Sequence, residues 1–319
     1  MDYRIRPASV DDAAAVAALM AAAEAVDDTG EHYAVDDVVE EMANPGIDVT
    51  RDWLLALDEE DEVVGSASLR PRAPSRRSID VHVEGVVRPD RRGRGIGSAL
   101  LERMLTRADT YAAERGLALV ARGACPSGHT VACGLLEEHG FVPHRWQFVM
   151  EVDLAAPPAP VPDLPAGYTI VTWEGVEDDE LRAAHNLAFD GFHPGFTPWD
   201  APMWTQWVSG ARAHRPALSL VARDGDGGIT AYLQTAEFDA VAEATGRREA
   251  FVAKVGTSPE HRRSGLAAAL LGRGLALYRE AGFQVAALDV DSENPSGALG
   301  VYQRAGFSTA KQLTFYRLA

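Results

Sequence analysis

The chain has 319 residues, 46% of them hydrophobic and 24% charged, and a formal net charge of −17. That length implies about two globular domains, each with enough apolar residues for a core. The acidic excess argues against non-specific nucleic-acid binding, which needs clustered Lys and Arg, and two cysteines exclude a disulfide framework.

The N-terminal residues MDYRIRPASVDD lack the apolar core of a signal peptide, so a cytoplasmic protein is expected. YRIRPAS (3–9) reads as a first strand. AAAVAALMAAA (13–23) follows Ser9 and two Asp, so it reads as a capped helix, too short to span a bilayer. No membrane association is expected. WLLALDEEDEVVGSASLRP gives a hairpin around an acidic turn. The strand VHVEGVV then runs into VVRPDRRGRGIGSALL (86–101), a basic, Gly-containing loop opening an amphipathic helix. After the strand LALVARG comes CPSGHTVAC (125–133), with His129 between Cys125 and Cys133. The spacing is not a usual zinc form, and Cys133 reads as a packing residue beside Leu135 and Leu136. No metal is expected.

AAPPAPVPDLPAG (155–167) reads as a Pro-rich, semi-rigid linker between domains at 1–154 and 168–319. The second half repeats the plan. YTIVTWE opens it, and an aromatic-rich segment follows at 187–207. LSLVARDGDGGITAYLQTAEF forms a hairpin around DGDGG. The strand AFVAKVG leads into VGTSPEHRRSGLAAALL (255–271). The strand VAALDVD, a terminal helix and the strand QLTFYRL complete the half. Mixed strands with a few helices, twice over, give an α/β or α+β class with a mixed sheet in each half.

The halves align with each other. Arg92 maps to Arg262 and Gly95 to Gly265, an offset of 170, while EEHGF (137–141) maps to QRAGF (303–307) at 166. The first of the two motif helices is four residues longer, about one extra turn, so its buried face stays in phase. Internal duplication accounts for this.

Each copy carries Arg-x-x-Gly-x-(Gly/Ala) before a helix. Small residues let backbone approach a ligand, and a helix start offers free N–H groups and a positive dipole end. Together they make a pyrophosphate site. Both copies resemble the acetyl-CoA loop of the GNAT superfamily of N-acetyltransferases. The resemblance implies two tandem GNAT-like domains, each a twisted mixed sheet flanked by helices and splayed between strands four and five. It implies acetyl-CoA as cofactor. The second-half contacts would come from Val255, Gly256, Thr257, Arg262, Arg263, Ser264, Gly265, Leu266, Ala267 and Ala268. The first-half contacts would come from Val86, Val87, Arg92, Gly93, Arg94, Gly95, Gly97 and Ser98.

LDVDSENPSGALGVYQRAGF (288–307) resembles the family's other signature. Asn294 would help to hold the cofactor, and Tyr302 would protonate the departing thiolate. Asn294 also suits a helix N-cap before Pro295. The 166 offset puts Leu136 and Gly128 at these positions in the first half. A Leu cannot protonate a thiolate, so the second half is expected to carry the chemistry.

An amine must lose a proton before it attacks a thioester. The Glu that many members carry eleven residues before the motif Arg falls at Phe251. Glu249, Asp289, Glu237 and a water chain remain as bases. His185, Asp190, His193, Trp199 and Trp204 are expected to line an acceptor pocket, since aromatic walls with a few polar groups suit a small molecule.

The whole chain resembles mycothiol synthase and related tandem GNATs. The function expected is direct acetyl transfer to a primary amine of a small molecule, by a monomer or homodimer. A protein N-terminus or the mycothiol precursor is an alternative acceptor, and a non-catalytic acyl-CoA sensor is the alternative from another class.

Overall fold

The computed structural model describes residues 3–44, 46–71, 77–190, 196–292 and 297–319. The chain divides into two compact units, Met1–Trp146 with Gln312–Ala319, and Gln147–Lys311. The strands are β1 (Arg4–Pro7), β2 (Trp53–Leu57), β3 (Val63–Pro71), β4 (Ser78–Val87), β5 (Ala118–Pro126), β6 (Phe141–Asp153), β7 (Thr169–Thr172), β8 (Leu220–Arg223), β9 (Ile229–Ala236), β10 (Glu249–Thr257), β11 (Val285–Asp291) and β12 (Ser308–Leu318). The helices are α1 (Ala13–Asp27), α2 (Val35–Met42), α3 (Val49–Asp52), α4 (Ile96–Ala113), α5 (Thr130–Glu138), α6 (Asp178–Phe189), α7 (Ala201–Trp204), α8 (Asp239–Thr245), α9 (Leu266–Glu280) and α10 (Ala298–Arg304). No helix among the described residues is long and apolar enough to cross a membrane.

In the first unit the sheet order is β1-β2-β3-β4-β5-β12. All pairs are antiparallel except β4 with β5. Leu69, Val81, Ile96, Leu100 and Met104 form a core between sheet and α4. Val16, Val38, Trp53 and Leu55 pack against the other face. In the second unit the order is β6-β11-β10-β9-β8-β7, with only β10 and β11 parallel. Its central strand β9 is buried on both faces, and successive side chains alternate between two cores. Leu233 faces a core with Leu270, Leu275 and Leu288, while its neighbour Tyr232 faces a second cluster with Trp173, Leu181 and Trp204.

The terminal strand departs from the sequence expectation that it completes the second domain. Leu313–Arg317 pair antiparallel with Arg122–Pro126 of β5, and Tyr316 is buried in the first unit's core. Conversely, Gln147–Asp153 of β6 pair with β11, and Met150 and Val152 enter the second unit's core. Strand periodicity fixes which side chains are buried but not which sheet supplies the partner, so boundaries at 154 and 168 miss this arrangement. The Pro-rich segment 155–167 belongs to the second unit. Val161 lies against α9, only 2.6 Å from where a Cβ on Gly272 would stand.

The hairpin glycines behave as their chemistry demands. Gly227 takes φ 87° in the DGDGG turn, which closes by a hydrogen bond from Asp224 N to Gly228 O at 3.1 Å. The motif helices differ in the expected sense but by three residues, the fourth lying in the turn between α4 and Gly116. α4 has 18 residues and α9 has 15, and Gly116 and Gly282 follow them in left-handed conformation.

Candidate active site

The two basic loops adopt one conformation. Each leaves its strand through a single 3-10 turn, Pro89–Arg91 or Pro259–His261, and enters its helix at a left-handed glycine, Gly95 (φ 79°) or Gly265 (φ 94°). Two residues earlier, a second left-handed position is Gly93 (φ 71°) in one loop and Arg263 (φ 61°) in the other. A left-handed arginine is a strained choice, which marks the second loop as the more specialised.

The motif arginines are turned inward. Arg262 Nε donates to Thr257 O at 3.3 Å, and Nη2 donates to Ala188 O near the end of α6 at 2.9 Å. Arg92 Nε donates to Val87 O at 3.0 Å, and its terminal nitrogens pair with Asp27 at the end of α1. This pairing, with His129 assisting, holds the Asp27 carboxyl below its ordinary range. Each arginine therefore braces loop to strand and to first helix. Val255, Gly256, Val86 and Val87 lie on the strands leading into the loops. Arg94, Gly97 and Ser98, like Ser264, Leu266, Ala267 and Ala268, lie in the loops or first helical turns.

The second loop fits a pyrophosphate. A Cβ on Gly265 would have no heavy atom nearer than 3.9 Å, so backbone there is open to a ligand. The first-turn amides of α9 lack intrahelical acceptors. Ser258 Oγ, at the foot of the loop, is buried with no hydrogen-bond partner among the described residues. From Ala268 a cavity of about 300 Å³ runs beside α9 and α10, bounded by Val161, Gly272, Arg279 and Arg304.

A notch opens below this loop. β10 pairs with β11 from Glu249–Val285 to Phe251–Ala287, and no further pair is formed among the described residues although both strands continue. Alternate backbone groups of β10 then face the opening instead of a strand. On its other edge β10 slips by one residue between Val252 and Lys254, a β-bulge against β9. Bulges re-aim side chains and occur beside active sites. The matching β3–β4 register in the first unit is continuous.

Tyr302 stands on the α10 side of the notch, packed edge-on to Phe307 at 6.2 Å. Burial pushes its hydroxyl up to about 12, so it stays protonated at neutral pH. Its counterpart Leu136 fills the space over Gly123, 3.1 Å from a Cβ position there. Asn294 and His193 lie outside the described residues.

The three acids proposed as bases separate by geometry. Glu237 accepts hydrogen bonds from Arg248 Nε at 2.9 Å and Arg215 Nε at 3.0 Å. Burial raises its carboxyl, but these arginines outweigh burial and hold it below the ordinary range. Glu249 begins β10, about 20 Å along an extended strand from Val255. Burial and then Glu151 push it up to about 7. Asp289 lies on the same sheet face but past the last β10–β11 pair, beside the notch. Burial, opposed by a hydrogen bond from Gln147, raises it to about 6.

The same face carries an aromatic cluster. His185 is 2% exposed and lies 4.5 Å from Trp199, 4.9 Å from Phe189 and 5.6 Å from Trp204, ring centre to ring centre. His185 Nδ1 and the Tyr232 hydroxyl are 2.6 Å apart. Trp204 is core, stacked on Trp173 with Nε1 donating to Asp178. Asp190 caps α6 in solvent and is not part of the cluster. Lys254, absent from the sequence expectations, points here with Nζ 5.1 Å from the centre of the Trp199 ring. The sequence signal that could have found it is its alignment, by the 170 offset, with an acid, Glu84. Gln234, opposite Lys254 in the β9–β10 register, was likewise missed, since a lone Gln in a strand has no motif.

Among the described residues no group of three or more His, Cys, Asp or Glu could hold a metal. His129 instead caps α5, its Nδ1 accepting from Ala132 N at 3.0 Å, and contacts Asp27.

The Acetyltransferase (GNAT) family model matches residues 20–141 and 179–307. The chain is 30% identical over 266 residues to a mycothiol acetyltransferase of Thermobispora bispora, covering 82% of each protein. It is 30% identical over 308 residues to one from Nocardia farcinica, covering 94% of this chain and 92% of that one. Its fold is similar to a GCN5-related N-acetyltransferase from Sphaerobacter thermophilus, with TM-score 0.76 and 26% identity over 99% of this chain and 95% of the other. A tandem GNAT protein of the clavulanic acid pathway superposes with TM-score 0.73 at 20% identity, over 99% and 98% of the chains. The chain belongs to the GNAT acetyltransferase family, as an N-acetyltransferase whose acyl donor is acetyl-CoA.

Proposed function

We propose that the second unit transfers acetyl to a primary amine of a small molecule, by direct attack in a ternary complex. The observation that carries this reading is the β10 notch. It lies under a loop suited to pyrophosphate, with Tyr302 on the α10 side and Asp289 on the acceptor face. The first unit has the loop but Leu136 in place of the tyrosine and no bulge.

Acetyl-CoA supplies an activated acetyl thioester. The amides of 263–268 hold its pyrophosphate, with Asn294 assisting, and Arg262 positions that loop from behind. Asp289 accepts the proton that the acceptor ammonium must lose, directly or through one water. The amine nitrogen then bonds to the acetyl carbon and the carbon–sulfur bond breaks. Backbone N–H near Val255–Thr257 steadies the carbonyl oxygen as it gains charge. Tyr302 gives its hydroxyl proton to the sulfur, and the second proton shed by the nitrogen as it becomes an amide passes through water to restore that hydroxyl. The burial that raises Tyr302 also favours the neutral thiol over a thiolate beside it. Both cysteines precede residue 147, so no acetyl-cysteine forms in this unit.

The similarity to mycothiol acetyltransferases supports a second reading, with a mycothiol precursor as acceptor. The aromatic Phe251, packed on Phe238 at 6.0 Å where the resemblance places a glutamate, favours a different small amine. Acetyl-CoA-dependent thiol release over a panel of small amines, the mycothiol precursor and peptides tests the proposal. Release with small amines supports it. Release confined to peptides, or none with any acceptor, contradicts it.

A further inference from the structure

Three polar groups on the acceptor face of the second unit lack the partners their burial requires. His185 Nε2 and Gln234 Oε1 are buried with no hydrogen-bond partner among the described residues, in side chains of residues 2% and 3% exposed. Lys254 Nζ rests over Trp199, and no carboxylate among the described residues pairs with it. Leaving such groups unmet is destabilising, most of all for a charge. The register places Gln234 directly opposite Lys254, and both point to the face that carries Tyr232 and His185.

The first unit shows the contrast. Glu84, at the position equivalent to Lys254, is answered inside its own fold by Arg70 at 3.1 Å, which also pairs with Glu41. In the second unit, burial draws the lysine down to about 8. Burial and the lysine charge hold His185 down at about 3, hence neutral. In the tautomer in which the Tyr232 hydroxyl donates to Nδ1, the neutral imidazole carries its proton on Nε2 and presents it as a donor on the face that holds the ammonium. Two donors, one of them cationic, form a receptor for a carboxylate. Gln234 Oε1 adds an acceptor for an N–H or O–H of the same molecule.

We propose that Lys254, with His185 and Gln234, binds a carboxylate on the acceptor, so that the substrates of this enzyme are amines that also carry a carboxylate group. This rests on the acetyl-transfer reading for its catalytic consequence but not for binding. Trp199 forms the wall beside the lysine, held by Asn186, whose side chain bonds both the N and the O of its backbone at 2.8 and 3.0 Å.

The test uses the full chain saturated with CoA and two sets of probes, the twenty protein amino acids and their carboxamides. Calorimetry reads binding, and thiol release from acetyl-CoA reads turnover. At least one amino acid should bind about tenfold or more tighter than its carboxamide. Lys254→Met should abolish that preference and Lys254→Arg should retain part of it, with acetyl-CoA affinity unchanged in both. Equal binding of acids and amides, or no binding of any acid, overturns the proposal. So does a loss of turnover in Lys254→Met that is the same for acids and amides, since that would make the lysine part of the proton-transfer chemistry. Binding that follows the carboxylate without thiol release leaves the site standing and overturns acetyl transfer instead. A lowered melting temperature in Lys254→Met does not confuse the result, because Lys254→Arg keeps the charge and must keep the preference.

Discussion

Arg262 of the cofactor loop donates a hydrogen bond of 2.9 Å to the carbonyl of Ala188, near the end of α6. Arg92 makes the same connection in the first unit, to Asp27 at the end of α1. The motif arginine thus ties the loop to the helix that flanks the acceptor face. Arg262→Ala should lower both thermal stability and acetyl-CoA affinity, because loop and helix loosen together. Arg92→Ala should lower stability without slowing turnover. Thermal melts and calorimetry on both variants check this, and normal acetyl-CoA affinity in Arg262→Ala would exclude the brace.

Arg263 holds φ 61° where the first loop has a glycine. Glycine tolerates this conformation, so Arg263→Gly should leave stability unchanged or raise it by up to about 1 kcal/mol. If the arginine is kept for the anion, acetyl-CoA binding should weaken in the same variant. Chemical denaturation and calorimetry separate the two effects. A destabilised variant with normal binding would refute this account of the strain.

Tyr302→Phe removes the proposed proton donor but keeps the ring against Phe307. Turnover should fall by about 10²-fold or more with little change in acetyl-CoA affinity, as for a lost general acid. Initial rates against both substrates provide the check, and parallel-line ping-pong kinetics in the parent would reject direct transfer.

Asp289 is raised to about 6 and must be ionised to accept a proton. kcat/KM should therefore rise with pH through about 6, and for an acceptor held by its carboxylate it should fall again as Lys254 loses its proton near 8. Asp289→Asn should remove the rising limb and lower the maximum. A pH profile of the variant that still breaks near 6 would move the base elsewhere, Glu249 being the next acid on that face.

What the sequence disclosed was local. Gly95 and Gly265 announce their loops because glycine, lacking a Cβ, readily takes φ near 80–90° before a helix, and the repeat of the motif exposes the duplication. Tyr302 and Leu136 were distinguishable from the 166 offset alone. What stayed hidden was pairing at a distance. Glu237 is tied up by Arg215 and Arg248, 22 and 11 residues away. The β10 bulge is a one-residue slip with no trace in composition. The terminal strand alternates as any strand does and carries no mark of the sheet it joins.

Acetyl transfer, as proposed, depends on the second loop and not on the first. Gly265→Asp and Gly95→Asp place the same bulk and charge at equivalent left-handed positions in the full chain. Thiol release should be lost in Gly265→Asp and remain close to the parent rate in Gly95→Asp, with both variants folded by circular dichroism. Loss of turnover in Gly95→Asp with full activity in Gly265→Asp would contradict it.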